Sequence, residues 1–307
     1  MPRAIPLPDE QKVYTPDQFP EYLQHMLINS YNFAILPSAN LIKSMKPIIN
    51  HTKNLIVANP DFTREMNTKS DIPEQYRWTF KPLIYSKVEA KSIQKILNKS
   101  TLLEQSDATL KNVQKYAAQS SIIHFATHAF VDSIFNMFSG LVLSLDKDTL
   151  DDGFLMGYEI NNLNLNCDLV TLSACESGQG KVFYNEGIMG LPRLFFAAGA
   201  HSVLMTMWEV DDKLSSDFMP YFYNNLITKK MSKIEALGEA KRYIIKKYSK
   251  PVNGVYYNNP FYWASFNLYG DVKNNVQYTS SYKTISFVIL FSFLSLIIFY
   301  IRRTRSK

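Results

Sequence analysis

The chain has 307 residues, of which 46% are hydrophobic and 20% are charged, and its formal net charge is +6. This length and composition predict one globular domain of about 200 to 270 residues with appended segments. The Lys and Arg residues occur in short groups that are not interleaved with aromatic residues, which argues against nucleic-acid binding. The two cysteines, Cys167 and Cys175, are too few for a disulfide framework and do not form a CxxC metal motif.

The start of the chain, residues 1–30, is predicted to be a divergent or partly disordered lead-in. It is rich in proline and lacks the apolar core of a secretory signal. Further along we expect a short helix over Glu21–Asn29, a strand over Asn32–Leu36 and a helix over Ala39–Met45. Residues Phe62–Phe80 are polar with scattered aromatic residues, which is typical of a long surface insertion.

Apolar strands and amphipathic helices alternate through the middle of the chain. This alternation predicts an α/β fold with a mainly parallel sheet and helices on both faces. The predicted strands are Asn54–Ala58, Ile122–Ala126, Gly140–Leu145, Leu169–Ala174, Ser202–Met207 and Trp263–Leu268. The predicted helices are Ser86–Asn98, Ala108–Ala118 capped by Ser106 or Asp107, Leu155–Leu163, Glu186–Gly199 with Gly199 as the residue after its end, Leu214–Leu226, and a helix begun by a Ser232–Glu235 capping box and continuing to Tyr248.

Two of these strands end on reactive side chains. The stretch SIIHFATHAFVD carries His128 just past its apolar run, and LVTLSACESGQG carries Cys175. In open α/β sheets, chemistry collects beyond the carboxyl ends of the strands. We therefore expect the sheet to bring His128 and Cys175 together as base and nucleophile, an arrangement suited to cleaving a peptide bond by acyl transfer.

Two other kinds of site are disfavoured by the spacing. His124 and His128 form an HxxxH pattern, but on a strand their rings would lie about 13 Å apart, which is too far for one metal ion. His124 is interpreted as a buried residue of the core or of the surroundings of the site. No glycine-rich phosphate loop precedes a Lys-Ser or Lys-Thr pair, so a nucleotide cofactor is not expected. A metal is not expected either, because of the distance between the two histidines.

The region from about Pro82 to Asp271 resembles a CHAT domain, a branch of the caspase-like cysteine peptidases related to separase. The matching motifs occur in the family's order: HFATHA at His124–Ala129, LVTLSACESGQG at Leu169–Gly180, EGIMGLPRLFFAAGA at Glu186–Ala200, SVLMTMWEVDD at Ser202–Asp212 and NPFYWASFNLYGD at Asn259–Asp271. The segment YNFAILPSANLI also resembles part of the family, and the whole domain is expected to span residues 31–271. An apolar strand that ends in a "pDg" turn should precede this segment and is not recognisable here, so either the lead-in is divergent or the chain is a fragment of a longer protein.

The resemblance implies a caspase-like fold, His128 and Cys175 as the catalytic dyad, and an oxyanion hole made by the backbone N–H groups of Ala129 and Cys175. Many relatives have glycine where this chain has Ala129. Trp208 and the acidic pair Asp211 and Asp212 are expected at the same sheet edge. They either shape a substrate cleft or, in the case of Asp211 or Asp212, cap the next helix. Relatives are often fused to tetratricopeptide repeats, and no repeat of about 34 residues occurs here, so a regulatory partner or a missing region is implied.

After Asp271 the composition changes. Residues 272–284 form a polar linker, Ile285–Ile301 is an apolar run interrupted by serines and one tyrosine, and residues 302–307 form a basic tail. This run predicts a single transmembrane helix. The alternative, a buried core helix, is disfavoured by the serines spread around the run and by the basic residues that follow it. The basic tail favours a cytoplasmic C-terminus, whereas insertion as a tail anchor would give the opposite orientation, and both remain open.

We therefore expect a membrane-anchored cysteine endopeptidase that acts on protein substrates. The alternative is a catalytically inactive module of the same fold that serves as an interaction scaffold.

Overall fold

The computed structural model describes Leu23, residues 26–38, Met45, residues 51–61, Phe80, and residues 82–130, 135–146, 152–173 and 187–273. Several predicted features lie outside these residues. They are most of the lead-in, the helix predicted over Ala39–Met45 apart from Met45, the insertion apart from Phe80, the end of the strand at Ala174 with Cys175 after it, and the linker, apolar run and tail beyond Lys273.

A six-stranded sheet forms the centre of the protein. Its strands are β1 (Lys53–Pro60), β2 (Ser100–Gln105), β3 (Ser120–Ala126), β7 (Leu169–Leu172), β8 (Ser202–Thr206) and β9 (Phe266–Gly270). They lie in the order β2-β1-β3-β7-β8-β9, and all neighbours are parallel except β8 and β9. The mixed α/β fold with a mostly parallel sheet is therefore confirmed.

A second, antiparallel sheet of three short strands stands beside the carboxyl end of β3. It contains β4 (Ala129–Phe130), β5 (Gly140–Val142) and β6 (Phe154–Met156). The strand predicted over Gly140–Leu145 is thus present but shorter, and it does not join the central sheet. The helix predicted over Leu155–Leu163 is wrong at its start, because β6 occupies the first two of those residues.

Seven helices connect the strands in the part of the chain that the structure describes. They are α1 (Ser86–Ile96), α2 (Leu110–Ala117), α3 (Gly157–Ile160), α4 (Gly187–Ala198), α5 (Asp212–Tyr223), α6 (Lys233–Lys247) and α7 (Pro260–Trp263). A π-helical turn, Asn224–Thr228, continues α5, and 3₁₀ turns occur at Leu27–Asn29 and Asn136–Phe138. No helix among these residues has the length and apolar character needed to cross a membrane.

The helices cover both faces of the central sheet. Alternate side chains of β3 point to opposite faces, as the period of a strand requires. Ile123 and Phe125 join the main apolar cluster together with residues of α2 and α4. His124 points to the other face, where it meets α1 and α5. β3 is buried along its whole length, which explains its continuous apolar sequence.

The helix ends confirm some sequence signals and correct others. Ser232 and Glu235 form the predicted capping box of α6, and Gly199 follows α4 with a φ of +111°. The N-cap of α2 is Thr109, whose hydroxyl accepts a hydrogen bond from the Asn112 N–H at 3.3 Å, so the prediction of Ser106 or Asp107 was wrong.

Both ends of the domain meet at β9. The predicted strand over Asn32–Leu36 is reduced to a single bridge, in which Ile35 exchanges backbone hydrogen bonds with Leu268 and Gly270. The predicted last strand began too early, since Trp263 ends helix α7 and β9 starts only at Phe266.

Candidate active site

His128 is held in place by the step from β3 to the small sheet. β3 ends at Ala126, and the Thr127 hydroxyl then donates a hydrogen bond to the Val142 carbonyl at 2.6 Å. The Val142 N–H donates to the His128 carbonyl at 2.8 Å. These two bonds tie the backbone on both sides of His128 to β5, so the histidine lies beyond the carboxyl end of β3, as predicted.

The imidazole of His128 packs against an aromatic wall. Its ring stacks on Phe80 with centroids 5.3 Å apart, and Phe80 in turn meets Phe154 of β6 edge-on at 6.4 Å. Only 3% of His128 is exposed. Sequence reasoning missed Phe80, because it lies at the end of a stretch that was interpreted as a surface insertion and no local pattern marks it.

The strand that leads to Cys175 lies directly beside β3. β3 and β7 are parallel neighbours, with His124 opposite Thr171 and Phe125 opposite Leu172. The Ser173 N–H donates to the Phe125 carbonyl at 2.8 Å, which extends the pairing past the end of β7. Cys175 comes two residues later and lies outside the described residues. The carboxyl ends of the two strands that carry the predicted dyad are therefore adjacent.

Ala129, predicted to supply an oxyanion N–H group, is the first residue of β4. It is buried and pairs with Leu141 of β5. Its backbone is extended, a conformation that any residue adopts. The alanine in place of a family glycine therefore causes no steric conflict here.

Trp208 and Asp211 follow β8 and make contacts within the domain. The Trp208 indole donates to the Phe261 carbonyl at 2.7 Å. One oxygen of Asp211 accepts from the Leu214 N–H at 3.1 Å and caps α5, and the other accepts from the Tyr257 hydroxyl at 3.2 Å. The capping alternative for Asp211 is therefore confirmed, and a role for either residue in a substrate cleft stays a prediction.

Asp212, the first residue of α5, is a perturbed acid. Burial raises the pKa of its carboxyl group to about 6, and the nearby carboxylates of Glu89 and Asp211 add to this shift. The Tyr85 N–H, which donates to Asp212 Oδ2 at 2.7 Å, opposes it. The sequence placed Asp212 in an acidic pair with Asp211, either at a substrate cleft or as a helix cap, and did not indicate its burial.

His124 belongs to a buried chain of polar groups that joins four elements. Its Nε2 lies 2.9 Å from Glu89 Oε1 of α1, although the angle is not that of a hydrogen bond, and its Nδ1 lies 3.3 Å from the Tyr223 hydroxyl of α5. That hydroxyl donates to Thr171 Oγ1 of β7 at 2.7 Å. Both ring nitrogens of His124 thus face protein atoms, as expected for a residue of the core.

The surroundings of Cys167 differ from those expected for a nucleophile such as Cys175. It lies before β7, at the edge of the sheet opposite His128, and is completely buried. Burial and the neighbouring Asp168 raise the pKa of its thiol. This cysteine is therefore kept in the protonated, unreactive form.

Comparisons with known proteins give one family and two groups of relatives. A family model described as "CHAT domain" matches residues 1–271. Tetratricopeptide repeat protein 28 of Homo sapiens is 29% identical to this chain over 238 residues, and its counterpart in Mus musculus is 29% identical over 233 residues. Each match covers 65% of this chain and 9% of the relative. The chain thus spans about a tenth of the length of these curated relatives.

Similar solved structures include a cysteine proteinase and a separase–securin complex. The Arg specific cysteine proteinase gingipain R of Porphyromonas gingivalis has 12% sequence identity and a TM-score of 0.47, and the match covers 76% of this chain and 50% of that one. Separase in the Saccharomyces cerevisiae separase–securin complex has 15% identity and a TM-score of 0.45, with 77% and 13% of the two chains covered.

Proposed function

Because this chain belongs to the CHAT domain family, we propose that it is a cysteine endopeptidase in which His128 and Cys175 form the catalytic dyad. One observation carries the proposal. β3 and β7 are parallel neighbours whose pairing extends to Ser173, and the two predicted catalytic residues follow these strands directly. Side chains beyond the carboxyl ends of adjacent parallel strands lie at one edge of the sheet, where a base and a nucleophile can cooperate.

The reaction would proceed in two acyl-transfer steps. His128 takes the proton of the Cys175 thiol, and the thiolate attacks the carbonyl carbon of the scissile peptide bond. The backbone N–H groups of Cys175 and Ala129 stabilise the oxyanion that forms. His128 then gives its proton to the leaving amine as the C–N bond breaks, and afterwards activates the water that hydrolyses the thioester and releases the carboxylic acid.

The aromatic wall supports this role for His128. A base must present one nitrogen to the nucleophile in a fixed direction. Stacking on Phe80 and the two backbone bonds to Val142 restrict the ring and its chain segment. The imidazole is therefore preorganised before a substrate binds.

A second candidate function follows from the same burial. Only 3% of His128 is exposed, so a substrate has little access to the proposed base in this conformation. A domain of this kind could instead use its sheet as a scaffold for other proteins. In that case the CHAT domain is catalytically inactive and acts as an interaction module.

Regulation by another protein region is part of the proposal. The relatives with 29% identity are named for tetratricopeptide repeats, and this chain matches only 9% of their length. We propose that a repeat-containing partner, or a repeat region in the same polypeptide, controls access to His128. The buried imidazole is consistent with such a gate.

Cleavage of a peptide library tests the dyad. Cys175→Ala and His128→Ala should each abolish cleavage, because each removes one member of the dyad. Circular dichroism of both variants should show that they are folded, and His128→Ala should melt at a lower temperature because the imidazole is buried against Phe80. Cys167→Ala is the matched control and should keep the activity, since its thiol is buried at the opposite edge. Undiminished cleavage by the Cys175 or His128 variant would rule out the dyad, and a wild type that is folded but inert would favour the scaffold.

Membrane attachment through residues 285–301 is proposed from the sequence. The run is rich in Leu, Ile, Phe and Val, each of which favours insertion by a few tenths of a kcal/mol, about 0.3 to 0.6. The full-length chain should remain in the membrane fraction after carbonate washing, whereas a chain lacking 284–307 should not. Release of the intact chain by carbonate would contradict the anchor.

A further inference from the structure

The positive charge of this protein is concentrated in one helical hairpin. Residues 212–250, which contain α5, the π turn, α6 and the three residues after it, have nine Lys or Arg residues against four Asp or Glu residues, a net charge of +5. The whole chain carries +6. A partner that senses charge would therefore be attracted to the hairpin.

Only part of this charge is available at the surface. Lys233 is fully buried and forms an ion pair with Asp168 at 2.7 Å, and Lys241 is 5% exposed. The exposed lysines of the hairpin are Lys229, Lys230, Lys246, Lys247 and Lys250.

Two stacked tyrosines organise these lysines into a continuous surface. The rings of Tyr221 on α5 and Tyr243 on α6 are nearly parallel, with centroids 4.0 Å apart. The ammonium of Lys229 lies 5.5 Å from the centroid of Tyr221, and that of Lys247 lies 5.5 Å from the centroid of Tyr243. Lys246 and Lys247 follow Tyr243 at spacings of three and four residues, which places them on the same side of α6, and Lys250 lies three residues beyond the end of this helix. We call these residues, Tyr221, Lys229, Tyr243, Lys246, Lys247 and Lys250, the basic strip.

The stacking disfavours one kind of partner. Proteins that bind single-stranded nucleic acids need aromatic faces on which bases can stack. One face of each tyrosine ring is covered by the other ring, and a lysine ammonium lies 5.5 Å from each ring centroid. The basic strip therefore favours a partner that is bound through ammonium groups over one that is bound by stacking.

The chain leaves the domain next to this hairpin. The N–H of Ile234, in the first turn of α6, donates to the Val272 carbonyl at 3.4 Å, and Lys273 is exposed. Lys229 and Lys230 come just before that turn. The linker over residues 272–284 can extend at most about 45 Å, at 3.3–3.6 Å per residue. A membrane that holds residues 285–301 would therefore lie within reach of the hairpin.

We propose that the basic strip binds the phosphate and carboxylate headgroups of anionic lipids in the membrane to which the chain is anchored. This inference rests on the anchor of the proposed function. Juxtamembrane lysines are attracted to anionic leaflets, and each one near the surface strengthens binding about fivefold. Because the cytoplasmic leaflet is the anionic one, the strip selects the orientation in which the CHAT domain faces that leaflet.

Lysine labelling tests the contact in the full-length chain. The protein is reconstituted into vesicles of phosphatidylcholine and into vesicles with about 30% phosphatidylserine, and a membrane-impermeant amine reagent is applied. Lys229, Lys246, Lys247 and Lys250 should be labelled at least about fivefold more slowly on the anionic vesicles, and salt should remove the difference. Lys111 and Lys115, which are exposed on α2 at the other face of the sheet, should react equally in both and serve to normalise the rates.

Two variants that each lose four positive charges distinguish an effect of the basic strip from an effect of the protein's net charge. In Lys229→Gln/Lys230→Gln/Lys246→Gln/Lys250→Gln, the protection of the remaining Lys247 should be lost. In Lys87→Gln/Lys91→Gln/Lys95→Gln/Lys99→Gln, whose four lysines are exposed on α1 or just after it, it should persist, and Lys111 and Lys115 remain in both variants as the reference. Lys247 is left in place because it pairs with Asp217 at 2.8 Å.

The outcomes distinguish this inference from the anchor. If the chain resists carbonate but its strip lysines react equally on neutral and anionic vesicles, the inference is wrong and the anchor stands. If carbonate releases the chain and anionic vesicles still protect the strip, the anchor is wrong and lipid binding stands. Stronger protection by an acidic peptide or by single-stranded RNA, at matched charge concentration, would overturn the assignment to lipid.

Discussion

Individual polar residues in the interior of this domain serve mainly to position its elements. Glu89, His124, Tyr223 and Thr171 form one buried chain that crosses from α1 through β3 and α5 to β7. Buried polar groups are costly unless they are paired. These four polar side chains therefore fix the spacing of the two strands that precede His128 and Cys175. Mutations of the four residues would affect the dyad indirectly, by changing the positions of those strands.

Asp212 provides a test of electrostatics at this scale. Burial raises its pKa from 3.8 to about 6. Between these values the folded protein holds a proton that the unfolded chain has lost, so stability should fall as the pH rises from about 4 to about 6 and stay level above. Asp212→Asn removes this dependence while it keeps an oxygen for the Tyr85 N–H.

The difference in melting temperature between Asp212→Asn and the wild type should therefore increase in favour of the variant from about pH 4 to about pH 6. It should then stay constant at higher pH. Thermal unfolding followed by circular dichroism at several pH values measures the difference. A constant difference across this range would contradict the raised pKa.

At the level of elements, the ends of helices and strands decide where the functional residues lie. Asp211 starts α5 and Thr109 starts α2 through side-chain caps. Gly199 ends α4 in a left-handed conformation, with a φ of +111°. The Leu165 N–H donates to the Ala198 carbonyl at 2.6 Å, which holds the neighbouring loop against this helix end.

Gly199→Ala should destabilise the domain strongly. A Cβ at Gly199 would lie 2.0 Å from the Leu165 carbonyl oxygen, in addition to the strain of a positive φ. We expect a loss of about 2 to 4 kcal/mol in the free energy of unfolding. Gly254→Ala is the matched control, since Gly254 also has a positive φ, +78°, but no atom lies within 4 Å of the added Cβ, and it should cost only about 1 to 2 kcal/mol. Urea unfolding measures both, and equal losses would show that the contact with Leu165 relaxes.

Sequence patterns predicted the elements that are buried on both sides. β1, β3, β7 and β8 read as continuous apolar runs because they lie inside the sheet. The edge strand β2 was missed, since Leu103 is its only buried residue. In the small sheet, β5 was predicted as part of a longer strand, whereas β4 and β6, of two and three residues, carry too little pattern to place.

The candidate site was predictable only where it depends on strand ends. His128 could be found because it follows an apolar run and fits a motif. Phe80 reaches the imidazole from a distant part of the chain, and such a contact arises from tertiary folding that no local spacing reports. The aromatic run before β9 has high β propensity, yet Asn259 caps a helical turn there.

For the molecule as a whole, the helical hairpin and the sheet form one framework. Lys233 at the start of α6 donates to the Asp168 carboxylate and carbonyl at the start of β7, and both side chains are buried. This ion pair joins the hairpin that carries the basic strip to the strand that leads to Cys175. A membrane or a regulatory partner that acts on the hairpin would thus act on an element connected to the proposed active site.

The pH dependence of cysteine alkylation tests the central proposal most directly, because it needs neither a substrate nor an activator. The rate of iodoacetamide addition to Cys175 is measured by mass spectrometry in the full-length chain, in the wild type and in His128→Ala, with the buried Cys167 as a slow internal reference. If His128 and Cys175 form a dyad, the wild-type rate should level off well below the pH of about 8.5 at which a free thiol titrates, and the rate in His128→Ala should follow that ordinary titration. Coinciding profiles for the two proteins would show that His128 does not activate Cys175, and would contradict the assignment of a cysteine peptidase.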